Sequence, residues 1–265
     1  MSRFPTANKS FGQHFLSSPT VIKKITSPLP DGTEAIVEIG PGPAVLTPHL
    51  ASYNLPMYVI EMDERFVELL VPVVGEERVF RQDALEFNWN EFLTKTGLSN
   101  IWLVSNLPYN VSVPLTLSFL RIPQIKNMTL MYQKEVAEKI LPKEARNAMG
   151  SLHALCLSQF DIKHVVYAPP GAFVPPPKVD SQVLNFLRKE KPLIDLSLIN
   201  TFETYLRLVF AQRRKQLGGI LKKEWGQEKT LACLSAAGLD PQIRAEALTY
   251  EQVLKMFHHA QSYQA

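Results

Sequence analysis

Val37-Glu38-Ile39-Gly40-Pro41-Gly42 has the pattern of a buried strand that passes directly into a turn containing two glycines. β-Branched residues favour the strand, and glycine lets the backbone adopt dihedral angles that other residues avoid. In open parallel sheets, ligands bind beyond the carboxyl ends of the strands. The turn is therefore a candidate ligand site, although many turns between a strand and a helix contain glycine for steric reasons alone.

Around this turn, short apolar runs alternate with segments of helical periodicity. The predicted strands are Ala35–Ile39, Met57–Glu61, Arg78–Gln82, Ile101–Ser105 and Met128–Tyr132. The predicted helices are Val45–Ser52, Glu64–Val71, Val113–Leu120, Lys134–Leu141 and Ser151–Phe160. This alternation predicts βαβ units and a parallel sheet covered by helices on both faces.

Two later strands change the pattern. Ile162–Ala168 and Ser181–Leu187 are separated by only twelve residues, which is too short for a helical crossover, so we expect them to pair antiparallel. The connection from Pro169 to Asp180 contains five prolines, which stiffen it and exclude regular structure. Together the strands predict an α/β fold of the doubly wound, Rossmann-like type, with a mostly parallel seven-stranded sheet.

From about residue 190 the strand signals stop. Apolar residues at helical spacing predict a helix over Leu196–Leu217, with Gly218-Gly219 as its end. Further helices are predicted around Glu228–Ala237 and Tyr250–Gln261. The chain therefore divides, as a prediction, into a domain of residues 1–190 and a small all-helical C-terminal domain of residues 191–265.

Composition excludes several classes of protein. Hydrophobic residues make up 46% of the 265, which is enough for a substantial core. No apolar run approaches the length of about 20 residues that spans a bilayer, and the first 20 residues lack the apolar segment of a secretory signal. Cys156 and Cys233 stand in apolar surroundings without a cluster of histidines or further cysteines. We expect a cytoplasmic protein with reduced thiols, no metal site and no membrane association.

Acidic residues follow two further strands of the predicted sheet. Glu61 ends its strand 21 residues after Gly40, where a carboxylate can bind both ribose hydroxyls of an adenosine-containing cofactor. Asp83 follows the third strand and can accept from the adenine amine, with Ala84 beside it. A dinucleotide fingerprint needs a glycine where Val45 stands. S-adenosylmethionine carries no phosphate, so its binding does not need a glycine at position 45. The pattern therefore favours this cofactor over NAD.

Asn106-Leu107-Pro108-Tyr109 follows the fourth strand, in the same row of strand ends. The Asn106 side-chain oxygen and the Pro108 carbonyl can accept the two N–H groups of an adenine amine, which makes its nitrogen lone pair available. Tyr109 can stack on the base and position that nitrogen for an in-line displacement. A turn that contains Asn and Pro for conformational reasons is the alternative interpretation.

Basic residues are concentrated in two segments. Residues 1–24 contain four and residues 205–223 contain six, and neither segment contains an acid. Such segregation suits a polyanionic partner, although a solvated helix face gives the same pattern.

Taken with these residues, eight stretches in order along almost the whole chain carry a close resemblance to one family. They are Phe11–Leu16, Val37–Gly42 with Leu46-Thr47, Val59–Glu61, Gln82–Ala84, Asn106–Asn110, Gln133–Val136, Phe173–Ser181 and Phe210–Lys215. The sequence resembles the ribosomal RNA adenine dimethyltransferases, in particular the bacterial members that act on the small subunit. Jointly the stretches are highly specific, whereas Asn106–Tyr109 alone indicates only an amino-methyltransferase.

The resemblance implies a class I S-adenosylmethionine-dependent methyltransferase that releases S-adenosylhomocysteine and uses no metal. Its substrate would be the N6 amines of two adjacent adenosines in the loop of the 3′-terminal helix of 16S rRNA, within the small ribosomal subunit, as a late step of subunit biogenesis. A monomer is implied as well.

The same resemblance assigns site residues. The implied cofactor contacts are Gln13, His14, Leu16, Gly40, Gly42, Glu61, Asp83, Ala84 and Asn106. The implied catalytic residues are Asn106, Pro108 and Tyr109. Tyr109 and Phe173 would stack on the extruded target base, and Arg213, Arg214 and Lys215 would contact RNA phosphates.

Two residues depart from the family pattern, and three other functions stay open. His14 stands where many members have Asn, and Ala44 replaces a frequent glycine. The alternatives are a dimethyltransferase of 23S rRNA, a largely non-catalytic ribosome assembly factor, and an NAD-dependent oxidoreductase.

Overall fold

The computed structural model describes residues 13–142 and 149–263. Its strands are β1 (Phe15–Leu16), β2 (Ala35–Ile39), β3 (Met57–Ile60), β4 (Val79–Phe80), β5 (Ile101–Asn106), β6 (Ile125–Gln133), β7 (Phe160–Ala168), β8 (Phe173–Val174) and β9 (Ser181–Arg188). Its α-helices are α1 (Pro19–Ile25), α2 (Thr47–Ala51), α3 (Glu64–Val74), α4 (Trp89–Thr96), α5 (Ser112–Leu120), α6 (Lys134–Ile140), α7 (Ser151–Gln159), α8 (Ile199–Val209), α9 (Leu217–Trp225), α10 (Gln227–Ala236) and α11 (Tyr250–Ser262). Phe11-Gly12 of the first matching stretch, with Arg3 and Lys9 of the first basic segment, lies outside the described residues.

Seven strands form one sheet in the order β4-β3-β2-β5-β6-β9-β7. The pairs β3–β4, β2–β3, β2–β5 and β5–β6 are parallel, whereas β9 runs antiparallel to β6. The prediction of a mostly parallel seven-stranded sheet is therefore confirmed. The two late strands, β7 and β9, lie side by side at one edge of it, as their short connection requires.

The central strands are buried along their length. Every residue of β2 and the first five of β5 are buried, which is the pattern of a strand covered on both faces. Because β2, β3, β4 and β5 are parallel neighbours, their carboxyl ends meet at one edge of the sheet. The loops that follow these four strands are brought together there.

A short two-stranded sheet, formed by β1 and β8, lies outside the seven-stranded one. The strands are antiparallel, with Leu16 opposite Phe173, and Ser17 donates its backbone N–H to the Ala172 carbonyl at 2.7 Å. Sequence periodicity does not detect strands of two residues. The pairing ties the segment around residues 13–17 to the proline-rich connection.

Contacts divide the chain into two compact units. One comprises the described residues up to Ala137 together with Asp161–Lys189, and the other comprises Glu138–Phe160 and the residues from Glu190 onward. In the second unit, the buried Gln159 side chain donates to the Ile194 carbonyl at 2.7 Å, which joins the end of α7 to the segment before α8. A boundary between independently folding domains near residue 190 stays a prediction.

The long helix predicted over Leu196–Leu217 is wrong. The structure has α8 over Ile199–Val209, a turn region, and then α9 from Leu217, so Gly218-Gly219 begins a helix instead of ending one. A Cβ atom on Gly218 would lie 2.8 Å from the Pro241 carbonyl oxygen. Gly218 therefore permits close packing between the start of α9 and the segment around Pro241.

Candidate active site

The turn after β2 holds three residues in the left-handed region of backbone conformation. Gly40, Gly42 and Ala44 have φ angles of 60°, 56° and 58°. Glycine adopts this conformation without strain, whereas an L-residue with a side chain is disfavoured there by roughly 1–2 kcal/mol. The left-handed conformation at position 44 explains why a glycine is frequent there in the family pattern. In this chain Ala44 adopts the same conformation.

A cavity of about 230 Å³ opens at this turn and extends along the loops that follow β2, β3, β4 and β5. Every predicted cofactor residue lines it: Gln13, His14, Leu16, Gly40, Gly42, Glu61, Asp83, Ala84 and Asn106. Pro108 and Tyr109, from the predicted catalytic loop, line it as well. The sheet topology therefore brings the separate strand-end motifs into one site.

Glu61, at the end of β3, is fixed by backbone donors. Its Oε2 accepts from the Gly42 N–H at 2.9 Å, and its Oε1 accepts from the Asp63 N–H at 2.8 Å. Burial raises the pKa of this carboxyl group, and the two backbone hydrogen bonds partly oppose the rise. Each oxygen keeps a second lone pair, so the carboxylate can still accept from ribose hydroxyls.

Asp63 anchors the predicted cofactor residue Gln13. The Gln13 Nε2 donates to Asp63 Oδ2 at 2.8 Å, and Arg65 forms an ion pair with the same carboxylate at 2.6 Å. The hydrogen bond from the Arg65 side chain is the main reason why the pKa of Asp63 falls to about 2. Asp63 also caps α3 by accepting from the Arg65 N–H. The Asp63 carboxylate therefore holds Gln13, and with it the N-terminal segment, against the start of α3.

Glu38 is a residue of this site that the sequence analysis did not assign. It lies in β2, it is only 2% exposed, and it lines the cavity. Its Oε2 has no hydrogen-bond partner among the described residues. Burial, with a smaller contribution from the negative charge of Glu61, raises the pKa of Glu38 to about 8. An acid inside an otherwise apolar strand was the available signal.

The adenine end of the predicted cofactor site is formed by the loops after β3 and β4. Asp83 Oδ1 accepts from the Leu85 N–H at 2.9 Å, which shapes its loop and leaves Oδ2 for an outside donor. Met62 follows Glu61 and lines the cavity although its side chain is 50% exposed. An exposed thioether at the rim offers an apolar surface for one face of a bound ring. Met62 is a lining residue that the sequence motifs do not predict.

Asn106 is oriented by the N-terminal segment. Its Nδ2 donates to the His14 carbonyl at 3.1 Å. The amide nitrogen is thereby engaged, and within the described residues no hydrogen bond to Oδ1 is formed. The His14 ring lies against Tyr109 at a centroid distance of 5.7 Å, and its Nδ1 is 2.9 Å from the Pro175 carbonyl oxygen.

Pro108 and Tyr109 lie beside this amide. The Pro108 carbonyl accepts from the Val111 N–H at 3.2 Å, which closes a turn and leaves one lone pair for a further donor. The Tyr109 hydroxyl shares a 2.8 Å hydrogen bond with the buried Ser181. Burial raises the pKa of Tyr109, so the phenol stays neutral. Ser181, at the start of β9, thus positions the predicted stacking residue.

Phe173 and the basic triplet are not part of this cavity. Phe173 is 2% exposed and belongs to the apolar core that includes Phe15 and Leu16. Its place in β8 directs it into that core because it pairs with Leu16. Arg213, Arg214 and Lys215 lie in the second unit, exposed, in the turn region between α8 and α9.

The seven-stranded sheet, with the predicted adenosine-binding residues lining a cavity at the ends of its parallel strands, is that of a class I S-adenosylmethionine-dependent methyltransferase. A family model described as ribosomal RNA adenine dimethylase matches residues 5–262. The chain belongs to this family of enzymes.

Individual relatives agree with this membership. A ribosomal RNA small subunit methyltransferase A from Shewanella pealeana is 35% identical over 262 residues, which cover 96% of this chain and 95% of the relative. A protein of the same name from Bdellovibrio bacteriovorus is 36% identical, with 96% and 92% covered. The crystal structure of a dimethyladenosine transferase from Plasmodium falciparum superimposes with a TM-score of 0.76 at 23% identity, covering 92% of this chain and 96% of that one, and supports the fold.

Within residues 13–142 and 149–263, no helix has both the length and the apolar character needed to cross a membrane. The same ranges contain no group of three His, Cys, Asp or Glu side chains placed to hold a metal ion. Cys156 and Cys233 are buried and not disulfide-bonded.

Proposed function

We propose that this protein dimethylates the N6 amines of two adjacent adenosines in the loop of the 3′-terminal helix of 16S rRNA, within the small ribosomal subunit. The orientation of the Asn106 amide supports this proposal most directly. Its Nδ2 donates to the His14 carbonyl, so its Oδ1 stays available as an acceptor, and both Asn106 and Pro108 line the cofactor cavity. Membership of the adenine dimethylase family and the names of the small-subunit relatives support the choice of substrate.

The cavity fits S-adenosylmethionine as the methyl donor. Glu61 and Asp83 would hold the ribose and the adenine, and Gly40 and Gly42 keep side chains away from the bound molecule. Glu38 Oε2 has no partner among the described residues and fits a cationic amino group, because a neighbouring positive charge favours the ionised form of this buried carboxyl group. When bound, this cofactor supplies a methyl group on a positively charged sulfur atom.

The residues of the chain activate the acceptor. An adenine amine is a poor nucleophile because its lone pair is delocalised into the ring. Hydrogen bonds from its two N–H groups to Asn106 Oδ1 and the Pro108 carbonyl favour a pyramidal nitrogen with an available lone pair. Tyr109, held by Ser181, stacks on the extruded base and fixes its distance from the cofactor. The nitrogen becomes acidic once it is alkylated, so no strong general base is required.

The wider setting follows from this reaction. Dimethylation of two adenosines uses four methyl groups for each subunit, and the substrate exists while ribosomes are assembled. We therefore place the protein in the cytoplasm as a monomer that acts late in subunit biogenesis. Arg213, Arg214 and Lys215 supply exposed positive charge for contact with rRNA phosphates.

The test is an in vitro methylation assay with separate small and large ribosomal subunits from cells that lack the modification. Mass spectrometry of nuclease digests should find dimethyladenosine in 16S rRNA only. Asn106→Ala should lower kcat by at least about 100-fold, as expected for loss of positioning and electrostatic groups, while binding of the subunit changes little. Asn90→Ala, on the exposed surface of α4, is the control with unchanged activity.

Three results would overturn parts of this proposal. Product in 23S rRNA alone would assign the enzyme to the other subunit. No product in either subunit, together with tight binding, would indicate an assembly factor. Full activity of Asn106→Ala would refute the proposed activation of the amine.

A further inference from the structure

Met62 differs in exposure from the other methionines of the described residues. It is 50% exposed, and it lines the cofactor cavity together with Glu61 and Asp83. The other methionines of residues 13–142 and 149–263 are at most 8% exposed: Met57, Met128, Met131, Met149 and Met256. Within the described part of the chain, one thioether is therefore open to solvent, and it lies at the proposed cofactor site.

The backbone on either side of Met62 is fixed. The flanking residues, Glu61 and Asp63, are both buried. The Glu61 N–H donates to the Phe80 carbonyl at 3.0 Å, and the Asp63 N–H donates to Glu61 Oε1 at 2.8 Å. Turning this segment to bury the Met62 side chain would break these hydrogen bonds. The thioether is therefore held at the rim of the cavity.

The two cysteines are protected from oxidants. Cys156 and Cys233 are both buried. Burial raises the pKa of Cys156 to about 12, and it raises the pKa of Cys233 as well. Peroxides react with the thiolate form of cysteine, and a raised pKa keeps both thiols protonated. Among the described residues, the sulfur atom most accessible to an oxidant is therefore that of Met62.

The position of Met62 connects its sulfur atom to cofactor binding. Met62 directly follows Glu61, the proposed ribose ligand, and it shares the cavity with Asp83, the proposed adenine ligand. A thioether offers an apolar and polarisable surface to one face of a bound ring. A sulfoxide is polar, so it does not supply that surface. A bound ring would in turn cover the sulfur atom and exclude an oxidant.

We propose that Met62 is a site of reversible oxidation, where a hydroperoxide converts the thioether to a sulfoxide that weakens the binding of S-adenosylmethionine. The inference rests on the proposed function, because it takes the ligand of the cavity to be this cofactor. The sulfur atom attacks one peroxide oxygen, an S–O bond forms, and the O–O bond breaks. With hydrogen peroxide, sulfur loses two electrons, the leaving hydroxide takes up the proton of the transferred oxygen, and one molecule of water is released.

Oxidation and cofactor binding oppose each other at this site. Bound S-adenosylmethionine covers the Met62 sulfur atom, so the enzyme stays active while the cofactor is plentiful. When the cofactor is scarce and peroxide is present, the sulfoxide forms and methyl transfer slows. Methionine sulfoxide reductases convert the sulfoxide back to the thioether, so the loss of affinity is reversible.

The first measurement follows oxidation at each methionine. The full chain is treated with dilute hydrogen peroxide, and mass spectrometry of its peptides gives the rates of sulfoxide formation. Met62 should oxidise at least about tenfold faster than the buried Met149. S-adenosylmethionine at ten times its dissociation constant should slow the reaction at Met62 about tenfold, since about one site in eleven is then empty. Met149 should react at the same rate with and without the cofactor.

The second measurement connects this modification to affinity. Calorimetry gives the dissociation constant for S-adenosylmethionine before and after treatment with peroxide. Oxidation should raise the constant of the unaltered protein about tenfold, because part of the free energy of burying a methionine side chain is lost. In Met62→Leu the two constants should agree, since leucine is apolar and does not oxidise. Met149→Leu is the matched control and should respond to peroxide like the unaltered protein.

Kinetic parameters separate this effect from general damage. Oxidised protein should have a raised KM for S-adenosylmethionine with an unchanged kcat, and a reductase should restore the KM. Damage to the fold would instead lower kcat and the unfolding temperature.

Several results would refute the inference. Equal oxidation of Met62 and Met149, no protection by the cofactor, or unchanged affinity after oxidation would each do so. An effect of peroxide that persists in Met62→Leu would assign the sensitivity to another residue. If the untreated protein does not bind S-adenosylmethionine, the proposed function fails and the inference fails with it. Normal binding that peroxide does not change refutes the oxidation site alone.

Discussion

Glu38 makes the stability of the cofactor-free protein depend on pH. Burial raises its pKa from the usual 4.5 to about 8 in the folded chain, so the folded state binds more protons than the unfolded state between these values. Stability should therefore fall as pH rises through this window, by up to about 1.4 kcal/mol per pH unit. Glu38→Gln removes the charge, and its free energy of unfolding, from urea titrations at pH 5 to 8.5, should vary much less.

Glu34 supplies a control of opposite sign. This exposed carboxylate accepts from the Ser99 N–H and hydroxyl and from the Asn100 N–H, which lowers its pKa. Its contribution should be present above pH 4.5 and be lost as pH falls through its lowered pKa. Glu34→Gln should therefore be less stable than the unaltered protein at neutral pH, with the difference closing in acid. A Glu38→Gln protein that keeps the full decline in stability between pH 5 and 8 would show that other groups cause it.

At the scale of secondary structure, the sequence predicts the strands and helices that are long enough to show a clear pattern of apolar residues. The buried strands β2 and β5 and the helix α3 appear where alternation and helical spacing place them, because burial on both faces selects continuous apolar runs. α4 was not predicted, although Asn88 caps it and Gly97 ends it.

Features that depend on tertiary contacts could not be predicted in this way. β1 and β8 have two residues each, so only their mutual pairing defines them. The motifs that form the cofactor cavity were identified, because parallel strand ends must converge. Phe173 is buried and pairs with Leu16, which is not visible in the sequence, and its stacking on the target base stays a prediction.

The start of α9 gives a prediction from two adjacent glycines. Gly218→Ala should destabilise the protein by about 1–3 kcal/mol, because the new methyl group would lie 2.8 Å from Pro241 backbone and side-chain atoms. Gly219→Ala meets nothing within 4 Å and should be neutral or stabilising by up to about 1 kcal/mol, since alanine favours a helix. Thermal and urea unfolding measure both. Equal stability of the two variants would show that the contact with Pro241 relaxes without cost.

For the molecule as a whole, the choice of cofactor is a question of charge, and ligand-induced stabilisation tests it. A dinucleotide needs an anion site at the start of the helix after the glycine turn. Here α2 has five residues, and Pro48 in its first turn lacks an N–H to donate. Glu38 and Glu61 also line the cavity, and in their ionised forms both disfavour a pyrophosphate and favour a cationic ligand.

S-adenosylmethionine at 100 times its dissociation constant should therefore raise the free energy of unfolding by about 2.7 kcal/mol. NAD at the same concentration should leave the unfolding transition where it is. Isothermal titration calorimetry gives the dissociation constants, and scanning calorimetry gives the stabilisation. Because a ligand stabilises the folded chain only through its preference for the folded state, an equal shift with NAD would show that a pyrophosphate is tolerated beside the two carboxyl groups. That result would overturn the electrostatic argument for the methyl donor, and with it the assignment of the cavity.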